Sequence, residues 1–185
     1  AALDYRGTLI CIDRDPVALS EARSALEENG TAAVRTLTFR FAHASYREVR
    51  NVLASFGCQN AHAIFLDLGF SSDTLARGWG FSVRPDARHE PLDMRYDPGE
   101  ACPTATDILS RSDARALARI FREYGEERFA ARIANAVVLA RRRQPPTTVG
   151  DLIDIVVKAV PRAARRGARH VATKTFQALR IAVNR

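Results

Sequence analysis

The sequence predicts an α/β fold, a doubly wound parallel sheet joined to an all-helical lobe, on three observations. Short apolar runs ending in a carboxylate alternate with segments of helical spacing over residues 7–67. From Thr104 onward only helical patterns follow. The charge changes sign at nearly the same place. Residues 1–110 hold 11 basic and 15 acidic side chains, net −4, and residues 111–185 hold 17 and 6, net +11.

The elements follow in order. GTLICID (7–13) is an apolar strand closed by Asp13. Residues 16–29 are a helix with Pro16 in its first turn, an inner face of Ala18, Leu19, Ala22 and Leu26, and Asn29-Gly30 at its end. TLTFRF (36–41) alternates as a strand, and 46–56 is a helix with Val49, Val52, Leu53 and Phe56 on one side. HAIFLD (62–67) is a third strand, closed by Asp67. Residues 68–103, rich in Gly, Pro, Ser and charge, form an ordered loop region. Helices are expected at 104–110, 112–124, 126–143, 148–160 and 172–184, with a mobile basic loop at 161–170. Thr104 and Ser112 are the expected N-caps, without full capping boxes, and Thr147 or Thr148 opens the helix after Pro145-Pro146. The domain boundary is placed between 103 and 104.

Composition excludes several classes. No apolar run is long enough to cross a membrane as a helix. Three cysteines (Cys11, Cys58, Cys102) without CxxC spacing support neither a disulfide framework nor a zinc site, and no metal is expected. A lobe of net +11, with Lys158 and Lys174 the chain's two lysines, suits a polyanionic partner, because the guanidinium fork matches phosphate and stacks on bases.

Four segments could carry chemistry. Asp13 in ICIDRDP stands where nucleotide-binding α/β folds place a carboxylate that accepts from two ribose hydroxyls; the alternative is a solvent-exposed turn residue. Asp15, directly before Pro16, is an N-cap. In FLDLGFSSDTL (65–75), Asp67 offers an acceptor for the hydrogens of an amine awaiting an electrophile; the alternative for Ser71 and Ser72 is the cap of a short helix. RGWGFSVRPDARHEPLDMRYDP (77–98) interleaves Trp79, Phe81 and Tyr96 with Arg77, Arg84, Arg88 and Arg95, a pattern that grips single-stranded RNA, or else a loop packed on its own aromatics. YGEERFAARIANAVVLARRR (124–143) is an amphipathic helix with acid in its first turn and arginine in its last.

Together IDRDP, LDLGFSSDTL, RGWGFSVRPDARHEPLDMRYDP, YGEERFAARIANAVV and ATKTFQALRIAVN resemble one family, the small-subunit rRNA cytosine-N(4)-methyltransferases of bacteria and mitochondria. Val171 and Lys174 bring the chain closer to the mitochondrial form. The resemblance implies a Rossmann-like class I methyltransferase sheet, S-adenosylmethionine as donor, and small-subunit rRNA or an assembly intermediate of the small subunit as partner. It implies cofactor contacts at Asp13, Tyr46, Asp67 and Thr74, with Asp67 also catalytic. Thr74 stands where the family usually has a longer Gln. RNA contacts are expected at Arg77, Trp79, Phe81, Arg84, Arg95, Arg165, Arg166, Lys174 and Arg180. The mitochondrial matrix is the expected location, with the bacterial cytoplasm as alternative.

The family's Gly-rich loop and its last strands have no counterpart in the 185 residues, so the sheet is expected to be incomplete and the sequence to be part of a longer chain. Two rivals remain. A small-subunit assembly factor would keep the fold without methylating. A nicotinamide-dependent dehydrogenase would use Asp13 but give the cationic lobe no role.

Overall fold

Two strands, β1 (Gly7–Asp13) and β2 (Leu37–His43), run parallel in a register that pairs Gly7 with Leu37 and Asp13 with His43. The helix α1 (Pro16–Asn29) connects them, completing a β-α-β unit. A computed structural model describes residues 7–29, 37–67, 77–165 and 170–185. It divides into two compact units, Ala1–Leu68 and Gly69–Arg185. The predicted inner face of α1 is observed: Ala18, Leu19, Ala22 and Leu26 are its half-buried positions. A 3-10 turn at Tyr46–Glu48 leads into α2 (Val49–Ser55), where Val52 is buried and Val49, Leu53 and Phe56 are half-buried.

The third predicted strand differs. Residues 62–67 form no strand among the described residues, and Phe65 is 90% exposed. In a doubly wound sheet such a strand lies beyond the first one, and its N–H and C=O groups need a ladder on that side. Among the described residues β1 pairs only with β2, so HAIFLD keeps its apolar pattern without a sheet to join.

Among the described residues the second unit is built on five α-helices: α3 (Ala105–Arg111), α4 (Ala114–Gly125), α5 (Ala130–Ala140), α6 (Val149–Ala159) and α7 (Thr173–Val183). α4 packs against α5 and α7 around the fully buried Phe121, Leu117, Ile133 and Leu179. Gly125 lets α4 and α7 meet closely, since a Cβ there would lie 2.3 Å from the Lys174 carbonyl oxygen. The boundary therefore falls earlier than 103/104. Phe81, Leu92 and Met94, predicted as loop, belong to the helical core.

The helix ends correct the predicted caps. Thr104 does form a full capping box: its Oγ1 accepts from the Asp107 N–H at 3.1 Å and its own N–H donates to Asp107 Oδ2 at 3.1 Å. The short Asp side chain reaches back as a Glu would. Asp113, not Ser112, caps α4, its Oδ1 accepting from Ala116 N–H at 2.7 Å. Thr148 caps α6 as expected, with Asp151 completing the box. Glu126 is left-handed (φ 50°) at the end of α4, and Glu127 lies ahead of α5 instead of in its first turn, its Oε1 accepting from the Phe129 N–H at 2.9 Å. Residues 162–165, expected in a loop, make a 3-10 turn.

Candidate functional site

The C-terminal ends of β1 and β2 bring together Asp13, Asp15, His43 and Ser45. Asp13 is the last residue of β1 and is exposed; its Oδ1 accepts from the Asp15 N–H at 2.8 Å, and its carbonyl accepts from Ala44 N–H at 3.1 Å. Asp15 is buried, and its Oδ1 accepts from Val17 N–H at 3.0 Å and Ala18 N–H at 3.3 Å, capping α1 as predicted. The sharp turn between them fixes the Asp13 carboxylate at the strand end, an acceptor-only group facing solvent. Among the described residues this is the feature best suited to a nucleoside.

Sequence reading missed His43. It pairs with Asp13 in register, and its Nε2 donates to the Arg14 carbonyl at 3.0 Å, bracing the turn. No signal marked it, because Ala42 and His43 fall out of phase with the alternation of TLTFRF, and β2 runs two residues further than predicted. A shallow cleft of about 270 Å³, lined by Pro16, Leu19, Ser20, Arg23 and His43, opens next to this end. Tyr46 follows the capping residue Ser45 and is 51% exposed, its ring open to a ligand. Asp67 is exposed at the end of the unpaired 62–67 segment. Its predicted position at the end of a sheet strand is thus not observed, for want of the ladder described above. Thr74, Ser71 and Ser72 lie outside the described residues.

Burial pushes the Cys11 thiol up, and all three cysteines are free. No cluster of metal-ligating side chains occurs among the described residues, and no described helix is long and apolar enough to cross a membrane.

In the helical unit the predicted RNA contacts separate into two groups. Arg84 is exposed and pairs with Asp86 at 2.7 Å, both side chains largely in solvent. Arg165 is exposed, its Nε donating to the Val160 carbonyl at 2.9 Å; Lys174 is exposed, its Nζ donating to the Glu126 carbonyl at 2.9 Å. These three present charge to solvent.

The others are structural in whole or part. Phe81 is 6% exposed and stacks on Tyr96 at 5.6 Å between centroids, so its ring faces the core instead of a base. Trp79 packs against the same core, and its carbonyl accepts from Met94 N–H at 2.9 Å. This is the reading in which the loop packs on its own aromatics. Arg95 grips Asp93 with Nε at 2.7 Å and Nη2 at 2.8 Å, while its Nη1 donates to the Pro98 and Glu100 carbonyls. That bond holds the Asp93 carboxyl below its ordinary range and Arg95 above its own. A guanidinium so committed staples its loop and is not offered to phosphate. Arg180 is half-buried, and burial pulls its guanidinium down, with Tyr96 opposing. Arg77 is half-buried, and Arg166 lies outside the described residues.

Asn184 ties two of the quoted motifs together. Its Oδ1 accepts from Tyr96 N–H at 2.9 Å, and its Nδ2 donates to the Met94 carbonyl at 2.7 Å. Met94 is left-handed (φ 63°), a conformation held by this clamp and by the bond to Trp79. Gly80 belongs to the same knot, since a Cβ there would meet the Pro91 carbonyl oxygen at 2.4 Å.

Comparison with known proteins gives a consistent result. The profile of the MraW methylase family matches residues 2–185. The chain is 44% identical over 177 residues to the ribosomal RNA small subunit methyltransferase H of Mycolicibacterium smegmatis, covering 95% of this chain and 45% of that protein. It is 45% identical over 179 residues to the protein of the same name from Frankia alni, covering 95% and 52%. With that of Nitrosomonas eutropha it shares 42% identity over 187 residues, covering 98% and 54%. The chain spans about half the length of these curated relatives. All three are bacterial, and the expected closeness to mitochondrial members finds no support in them. The parallel β-α-β unit, the helical unit clamped from Asn184 to Met94, and a family match along residues 2–185 agree: the chain belongs to the MraW methylase family.

Proposed function

We propose that the protein carrying this chain transfers a methyl group from S-adenosylmethionine to the exocyclic N4 amine of a cytosine in small-subunit rRNA. The observation that carries the reading is identity of 42–45% over at least 95% of the chain to relatives named as small-subunit rRNA methyltransferases. The Asp13 carboxylate fits the donor's nucleoside: it is exposed at the end of β1, oriented by the Asp15 N–H, and able to accept from two ribose hydroxyls. When bound, S-adenosylmethionine supplies a methyl group on a positively charged sulfur.

The chain's own residues then bind and orient. Tyr46 and Thr74 would help to hold the cofactor. Asp67 would accept hydrogen bonds from the amine, which orients the nitrogen lone pair toward the methyl group that the donor supplies. Arg84, Arg165, Arg166 and Lys174 hold RNA phosphates, assisted by Arg77. Trp79, Phe81, Arg95 and Arg180 contribute by shaping the surface from within. The substrate is rRNA in a small-subunit assembly intermediate, and the location is the bacterial cytoplasm.

The test is methyl transfer by the full-length protein from isotopically labelled S-adenosylmethionine to small-subunit rRNA, with the product nucleoside identified by mass spectrometry. The expected product is N4-methylcytidine, strongly depleted in an Asp67→Ala variant that still binds RNA. Label on a ring carbon would overturn the amine assignment. RNA binding without any transfer would favour the non-catalytic assembly factor.

A further inference from the structure

The outer face of α5 has no part in the roles assigned so far. Of its exposed positions, Arg132, Asn135 and Leu139 follow at spacings of three and four, which puts them on one stripe, with the small Ala131 beside them. Arg128 extends the stripe before the helix, its guanidinium resting 5.5 Å from the Phe129 ring centroid. Beyond Ala140, the bonds from Arg142 N–H to the Leu139 carbonyl and from Arg143 N–H to the Ala140 carbonyl continue the coil, leaving both side chains exposed. The neighbouring Arg141 turns inward, donating to the Leu109 and Ser112 carbonyls at 2.8 and 2.6 Å, and so anchors this end to α3.

Two features separate this face from an ordinary solvated one. Between Arg128 and Gly150 there is no acidic residue at all, whereas a solubilising surface interleaves both signs. At its centre stands Leu139, 66% exposed, flanked by an amide and arginines. α4 offers the internal contrast: Arg115, Arg119 and Arg122 share its exposed face with Glu123.

We propose that the outer face of α5, formed by Arg128, Arg132, Asn135, Leu139, Arg142 and Arg143, is a docking surface for single-stranded RNA. The inference rests on the rRNA reading above and names the surface through which the helical unit engages its substrate. The arginines hold successive phosphates, Asn135 offers both donor and acceptor to a base edge or 2′-hydroxyl, and Leu139 covers the apolar face of a sugar or base. The helix is rigid underneath, with Ile133, Ala134 and Val137 in the core, so the stripe is presented preformed.

The experiment measures binding of the full-length protein to a labelled single-stranded fragment of small-subunit rRNA across a range of salt. Wild type is compared with the triple variant Arg132→Gln/Arg142→Gln/Arg143→Gln and with an equal charge removal on α4, Arg115→Gln/Arg119→Gln/Arg122→Gln. Helical circular dichroism and S-adenosylmethionine affinity report folding and the cofactor site separately. If three phosphate contacts are lost, the slope of log affinity against log salt falls by about 2, and affinity at 0.1 M salt falls roughly tenfold to a hundredfold. The α4 variant is expected to lose much less. Leu139→Gln, which leaves the charge untouched, is expected to weaken binding without changing the slope. Should the α5 variant keep the wild-type slope, or both triple variants lose equally, the assignment to this face is wrong while the rRNA reading stands. If wild type binds no RNA even at low salt, that reading fails and this inference with it.

Discussion

The β-α-β unit and the helical unit bury their apolar residues to very different degrees. In the first, among the described residues, only Val52 and Asp15 are buried, and Leu9, Ile64, Phe65 and Leu66 stand open. In the second, a continuous core runs through the five described helices and reaches into the 81–94 segment. The helices α1 and α2 show the inner faces their sequence predicts, and the strands β1 and β2 also form. Periodicity selects an element and its inner face; burial depends on whether another layer covers that face. A five-helix cluster covers itself. A two-stranded sheet with one connecting helix leaves one face and its edges uncovered.

The sharpest way to break this comparison is to truncate one large ring in each unit. In the 185-residue chain, Phe121→Ala should cost about 3–5 kcal/mol in chemical denaturation of the helical unit. Phe65→Ala should change stability by less than about 0.5 kcal/mol. Equal losses would mean that the two units are not built differently.

Two glycines sharpen it further. Gly125→Ala drives a Cβ to within 2.3 Å of the Lys174 carbonyl, so α4 and α7 must separate, at a cost of about 1–3 kcal/mol. Gly57→Ala meets no atom and costs only the left-handed penalty at φ 72°, about 1 kcal/mol. Thermal melts of the two variants give the order.

The smallest effect is in acid. The hydrogen bond from Arg95 lowers the Asp93 pKa, and those from Thr104 lower that of Asp107; at Asp151 burial pushes upward but is outweighed by bonds from Thr148 and Thr147. Folded values below the unfolded value of about 3.9 mean that their stabilisation is complete above about pH 4 and fades as pH falls through the lowered folded values. The helical unit should therefore lose stability on acidification below about pH 4, and Asp107→Asn with Asp151→Asn should flatten that slope. All three groups lie in the helical unit, so a matching slope in the β-α-β unit would count against the contrast.

Much of this was legible in the sequence, and the gaps have physical causes. Asp13 and Asp15 were readable because a strand end followed by Asp-Pro leaves few conformations open. Asp67 was read as ending a strand, but an apolar hexapeptide becomes a strand only beside a ladder. Arg95 and Phe81 were read as RNA contacts because their types suit RNA; Asp93, two residues before Arg95, was a visible partner for it, whereas nothing local shows that Tyr96 returns to stack on Phe81. The Asn184 clamp spans 90 residues of sequence to reach Met94 and has no local signal.

In the proposed function the Asp13 carboxylate receives the nucleoside of the methyl donor. Titration calorimetry of S-adenosylmethionine into the full-length protein and its Asp13→Ala variant tests it directly. Hydrogen bonds to a charged group contribute about 1.5–3 kcal/mol, so the variant should bind at least tenfold more weakly while melting at the wild-type temperature. Unchanged affinity in a folded Asp13→Ala protein would contradict the assignment.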